Sequence, residues 1–195
     1  MKMLPRLLYI PVLHIDTNLI NARQKLDAVN QLERWRDEDV VLINMSGTAY
    51  GEAKSGRDAR RVRKANQQIF SMTRPAGASD PIFKKIEEVL FPSGTKNENQ
   101  RSDVQIVCEA VKYAAILVTG DGASKSQPAG ILGNRDKLQD LLRIVSPEEA
   151  VELVREKIRE RDEFNKQVAR EFGLELPTYT GADKLVPTVV SRKIV

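Results

Sequence analysis

The sequence predicts an α/β protein, a three-layer α/β/α sandwich with a mostly parallel central sheet. Three observations predict it. Short apolar runs recur along the chain: "VLHI" (12–15), "DVVLINM" (39–45), "AILVT" (115–119) and "RIV" (143–145). The segments between them place apolar residues at three- and four-residue spacing, the period of a helix with one buried face. The middle runs are too apolar for exposed edge strands, as expected where helices cover a parallel sheet.

The elements follow in order. Residues 1–16, "MKMLPRLLYIPVLHID", have the basic end and apolar run of a secretory leader. Arg6 and two prolines interrupt the run and no small-residue cleavage site follows, so it reads as the approach to a first strand, with Pro11 at the strand's start. Ala22, Leu26, Val29, Leu32 and Trp35 predict a helix from Leu19 to about Trp35. After the second strand, "SGTAYGEA" turns into a short helix. Ser55 and Asp58 have capping-box spacing, which predicts a new helix running to about Met72. Asp80 before Pro81 suits a helix start, with Ile82, Phe83, Ile86, Val89 and Leu90 as its apolar face. Ser102 and Gln105 form another capping pattern, and the helix they open turns Ile106, Val107, Ala110 and Val111 inward. The third strand ends at "GDG", and "NRDKLQDLL" reads as a helix before the fourth. Ser146, Pro147 and Glu149 combine an N-cap, a first-turn proline and a capping acid, and Gly173 is the stop of a helix ending at Phe172.

Residues 1–157 are expected to hold the α/β domain, and 158–195 a helical extension and tail. The tail ends in the β-rich "VPTVVSRKIV", which could add a strand or swap onto a second subunit. This apolar end leads us to expect a homodimer.

Composition narrows the chemistry. Of 195 residues, 41% are hydrophobic, enough for a sizeable core, and 30% are charged. No apolar run has the length of a bilayer span, so the expected address is the cytoplasm, with no membrane partner. Cys108 is the only cysteine and His14 the only histidine. A single cysteine excludes an internal disulfide and a cysteine-based zinc site, and any histidine-dependent catalysis has His14 alone to draw on. Both are most simply core residues. The net charge of +4 is mild, but Arg57, Arg60, Arg61, Arg63 and Lys64 crowd one segment. Positions 57, 60, 61 and 64 share a helical face. Such a row is ordinarily a solvated surface; its functional reading is a grip on nucleic-acid phosphates.

Four acids stand at strand ends or beside them. Asp16 follows the first strand directly, Glu52 follows the second by a short turn, Asp121 follows the third across one glycine, and Asp103 lies in the first turn of the helix leading into that strand. Singly, each has an ordinary reading as a cap, a turn or a solvated residue. Together they lie where open parallel sheets bind ligands, outside the carboxyl ends of the strands. Clustered carboxylates raise one another's pKa values, and a divalent cation relieves that repulsion. Mg²⁺ and Mn²⁺ prefer such oxygen ligands. The matching chemistry is metal-assisted phosphodiester hydrolysis, which needs neither histidine nor cysteine. "TGDGAS" lacks the spacing of either common phosphate loop. An aspartyl-phosphate phosphatase would want a second acid where Asn18 stands.

In this order, "HIDTNLI", the acid of "YGEA", "RSDVQIVCEAV" and "ILVTGDG" resemble the PIN-domain nucleases over about residues 8–156. The resemblance implies a parallel sheet between helices and Mg²⁺- or Mn²⁺-dependent cleavage of RNA. It assigns the catalytic and metal-binding acids to Asp16, Glu52, Asp103 and Asp121, with Asn18 and Thr119 in support. Many members carry a further acid where Ser124 stands here, which bears on a second metal ion. The family includes toxin ribonucleases, which have antitoxin partners, as well as processing and decay nucleases. The alternative reading is a degenerate PIN-like module that binds RNA or a protein partner without cutting.

Overall fold

The computed structural model describes residues 12–20, 23–38, 40–55, 58–68, 77, 79–122 and 129–181. Within them the chain is a mixed α/β fold on a four-stranded, wholly parallel sheet. The strands are β1 (Leu13–Ile15), β2 (Ile43–Asn44), β3 (Ile116–Val118) and β4 (Ile144–Val145), ordered β2-β1-β3-β4. Leu13 pairs with Ile43 on one side and Ile116 on the other, and Leu117 pairs with Ile144. Each strand falls inside an apolar run of the sequence.

The helices are α1 (Asp27–Asp37), α2 (Gly47–Ser55), α3 (Ala59–Gln68), α4 (Pro81–Leu90), α5 (Glu98–Lys112), α6 (Gly130–Gly133), α7 (Arg135–Leu138) and α8 (Pro147–Phe172). Parallel strands need crossovers, and these are right-handed almost without exception. The step from β1 to β2 runs one way along the sheet, and the steps to β3 and β4 run the other way. Right-handedness therefore sends the intervening helices to opposite faces. The packing agrees: α1 packs on α8, while α2 packs on α3 and α5, and α4 on α5 and α7. This arrangement is compatible with three layers. Trp35, Leu13, Ile43, Phe83, Ile86 and Leu117 are buried between them. Each such side chain contributes roughly 1.5–3 kcal/mol.

Several predicted boundaries are corrected. The helix expected from Leu19 does not start there. A 3₁₀ turn (Thr17–Leu19) follows β1, and α1 begins only at Asp27. Gln24 has φ 53°, which interrupts a helix, and Asn30 Nδ2 donates to its carbonyl (3.1 Å). Ala22 lies outside the described residues. The Ser55–Asp58 box does not form. Ser55 ends α2 and donates to the Glu52 carbonyl (2.8 Å), while Asp58 alone caps α3, accepting from the Arg60 N–H (2.9 Å). The stretch up to Met72 beyond Gln68 lies outside the described residues. The Ser102–Gln105 box is absent too, because α5 starts earlier. Asn97 caps it, accepting from the Gln100 N–H (3.0 Å), which moves Asp103 from the first turn into the second. The "NRDKLQDLL" helix is reduced to the single short turn of α7, and α6 forms just before it in "GILG".

The last helix forms as its signals predict. Ser146 and Glu149 make the reciprocal box, Pro147 is first, and Gly173 closes the helix in the left-handed region at φ 61°. At 1.5 Å per residue α8 is about 39 Å long, and it runs unbroken across the 157/158 boundary. Of the tail, residues 174–181 fold back on α8, while "VPTVVSRKIV" lies outside the described residues. Among the described residues no helix is long and apolar enough to cross a membrane.

Candidate functional site

The strand order reverses between β1 and β3, and in open parallel sheets such a reversal opens a crevice at the strands' carboxyl ends. Asp16 stands at the end of β1 and its N–H still donates to Val118 of β3 (3.0 Å). The side chain is only 5% exposed. Its Oδ1 accepts the Thr17 N–H (2.5 Å), which caps the 3₁₀ turn. Its Oδ2 accepts from Asn18 Nδ2 (2.9 Å) and from the Thr119 hydroxyl (2.6 Å).

These two supports reach across to the loop after β3. Thr119 Oγ1 accepts the Asp121 N–H (2.9 Å), and Asn18 Oδ1 accepts the Gly120 N–H (3.1 Å). Asp121 is fixed from its other side. Its Oδ2 accepts the Ile131 N–H (2.9 Å) and its carbonyl accepts the Leu132 N–H (3.1 Å). That approach requires Gly130, which has φ 57° and where a Cβ would stand 2.1 Å from the Gly122 carbonyl oxygen.

Glu52 arrives from α2. Its Oε2 accepts from the Thr17 hydroxyl (2.8 Å). The start of α2 is held by Ser46, whose Oγ accepts the Ala49 N–H (3.1 Å), and by buried Glu109 of α5, which accepts from the Thr48 hydroxyl and N–H. Asp103 is partly buried on α5, and no hydrogen bond from a described residue offsets the burial of its carboxyl.

The charges of these four acids act on one another. Burial pushes the Asp103 carboxyl up to about 7, with Asp121, Asp16 and Glu52 adding repulsion in that order. Burial likewise raises Asp16 to about 6. Asp121 and Glu52 add to the rise, and hydrogen bonds from Thr119 and Thr17 oppose it. Burial without a balancing charge is costly for a carboxylate. The donors are all oxygens, the kind that suits a hard divalent cation. Among the described residues, however, no group of three or more His, Cys, Asp or Glu side chains is placed to hold an ion by itself. Mg²⁺ characteristically binds one or two carboxylates and keeps several waters, and the donor set here fits that mode.

The basic row is not one solvent-facing strip. Arg60 is exposed. Lys64 Nζ is 2.6 Å from Oε2 of buried Glu33 on α1. Arg61 turns inward, and its Nη2 donates to the Thr17 carbonyl (2.8 Å). Arg57 and Ser124 lie outside the described residues.

Thr17, Glu33 and Glu109 went unmarked in the sequence reading. Their partners lie 31 to 61 positions away, so no local pattern announces them. His14 is a core residue: 1% exposed, tilted against Tyr113 with ring centroids 5.5 Å apart, and held down to about 4 by burial. Cys108 is buried on α5, which raises its thiol to about 11. Compared with protein-family models and with curated proteins, the chain has no significant match.

Proposed function

We propose that this chain is a PIN-like, metal-dependent endoribonuclease. The observation that carries the reading is the joining of Asp16 to Asp121 through Thr119 at the point of strand reversal, with Glu52 and Asp103 near enough to repel them. A bound Mg²⁺ or Mn²⁺ would supply a deprotonated water and neutralise charge on the phosphoryl group. Asp16, Asp121, Asp103 and Glu52 would hold it. Thr119 and Asn18 fix the Asp16 carboxylate through its Oδ2, and Oδ1, which accepts only the Thr17 N–H among the described residues, keeps a lone pair for an ion. Asp121 keeps Oδ1 for the same use, because Oδ2 is bound by the Ile131 N–H. Arg60, at the exposed start of α3, is available to RNA phosphates, whose charge must be met for the strand to enter an acidic crevice.

The second reading is a PIN-like module that binds RNA or a partner without cutting, and it is favoured by the lack, among the described residues, of a ready three-ligand group. The two separate in one assay. A labelled RNA incubated with protein and Mn²⁺ should be cleaved by the wild type, spared in EDTA, and cleaved at least ~100-fold more slowly by Asp16→Asn. Equal cleavage by wild type and Asp16→Asn would remove the enzyme reading.

A further inference from the structure

Resting on the metal-site reading, we infer that Thr17 is a positioning residue that sets Glu52 against Asp16, with Arg61 as its anchor. Thr17 touches both acids from one peptide unit. Its N–H donates to Asp16 Oδ1 (2.5 Å) and its hydroxyl to Glu52 Oε2 (2.8 Å). No other described hydrogen bond joins the end of β1 to Glu52. The hydroxyl has a single proton and two acceptors within reach, the second being the Ala49 carbonyl at 3.2 Å. The shorter, charge-assisted bond goes to the carboxylate. Ala49 lies one turn before Glu52 on α2, so the same hydroxyl lies against the helix that delivers the acid. With Oε2 held, Oε1 has no hydrogen-bond partner among the described residues. Outer hydrogen bonds of this kind commonly orient carboxylates that bind metal ions.

Arg61 completes the relay. Its Nη2 donates to the Thr17 carbonyl (2.8 Å), and its guanidinium forms no ion pair with a described acid. Its Nε is buried and has no described partner. A guanidinium that serves only charge balance would turn to a carboxylate. This one holds the backbone between two of them, so α3 pins the 3₁₀ turn from which Asp16 and Glu52 are set.

The test is Mn²⁺ affinity, read from free Mn²⁺ by electron paramagnetic resonance at pH 7.5, with melting curves in EDTA to confirm folding. Thr17→Val should weaken binding about 10- to 100-fold, while Thr17→Ser, which restores the hydroxyl, should stay within about 3-fold of wild type. In a Glu52→Gln background, Thr17→Val should add no further loss, because the hydroxyl acts through that carboxylate. Arg61→Gln separates anchoring from charge. Removing a cation near a cation site tightens binding by charge alone, whereas loss of the anchor weakens it. We expect weakening, and this variant carries the test if Thr17→Val does not fold. Unchanged or tighter binding in Thr17→Val, or in Arg61→Gln, with wild type binding normally overturns the relay alone. A wild type that binds no Mn²⁺ overturns the proposed function and the relay with it.

Discussion

Two regions of the molecule bury charge and treat it in opposite ways. In the middle of α8, Arg161 is 1% exposed and lies against Asp162 at 2.7 Å. The guanidinium also donates to the Tyr179 carbonyl (3.3 Å) and sits 5.2 Å from that ring's centroid. The second Asp162 oxygen accepts the Gly181 N–H (2.7 Å). Charge is matched within the chain, and the result is a clasp that folds residues 174–181 back on the helix. At the carboxyl ends of β1 and β3, Asp16 is buried almost as deeply, yet its neighbours are amides, hydroxyls and three more acids. One region solves the cost of burial with a partner from its own sequence. The other leaves it unsolved, as sites do when a ligand supplies the missing charge.

The comparison can be broken most forcefully at the clasp. Arg161→Met leaves Asp162 buried without its cation, and removing one partner of a buried pair costs about 3–5 kcal/mol. Urea unfolding should show that loss, with earlier proteolysis after Phe172. A loss below ~1 kcal/mol would mean that the pair is dispensable.

The same kind of change at the acids should have the opposite sign and a smaller size. Asp103 carries a raised carboxyl, so its charged form penalises the folded state. The penalty is absent near the unfolded value of 3.8 and grows as pH rises through about 7. Asp103→Asn should therefore match wild type near pH 4 and exceed it in EDTA at pH 8. We expect a gain of about 1–3 kcal/mol, discounted for the partial exposure of this side chain. Urea curves at the two pH values check it. A variant less stable than wild type at pH 8 would show that the charge is already balanced. Taking the difference between variant and wild type also cancels His14, whose lowered value works the other way and costs stability as pH falls from 6.5 toward 4.

How much of this was legible in the sequence depended on distance along the chain. The strands were, because each lies within an apolar run, but the second run, expected to be too apolar for an exposed edge, forms β2 at the edge of the described sheet, with Leu42 beside it 66% exposed. So was α8, where Ser146, Pro147, Glu149 and Gly173 all mark the same boundaries. The failures were two-point patterns. A serine followed three positions later by an acid or amide also arises inside a helix, as at Ser102, or across a helix end, as at Ser55. In both places a neighbour, Asn97 or Asp58, was the real cap. The positions of Asp16 and Asp121 just beyond strand ends were readable, since acids interrupt the apolar pattern there, and Glu52 followed from the short helix after the second run. Thr17 holding Glu52, and Glu109 steadying α2, were not, because each bond spans more than thirty residues and both residues suit ordinary surface roles. The basic row misled for a related reason. Helical spacing gives which residues share a face, but Arg61 and Lys64 bend toward a carbonyl and a buried acid that only the fold brings near.

The claim that the acids await a divalent cation is tested most directly by calorimetric titration of Mn²⁺ into the wild type and the Asp16→Asn, Asp121→Asn double variant, in buffers of different ionisation enthalpy. The account predicts saturable binding by the wild type alone. Protons should be released at pH 6.5, because Asp103 and Asp16 are still partly protonated there, and the release should fade by pH 8.5. Equal binding by both proteins, or none by either at millimolar Mn²⁺, would contradict it.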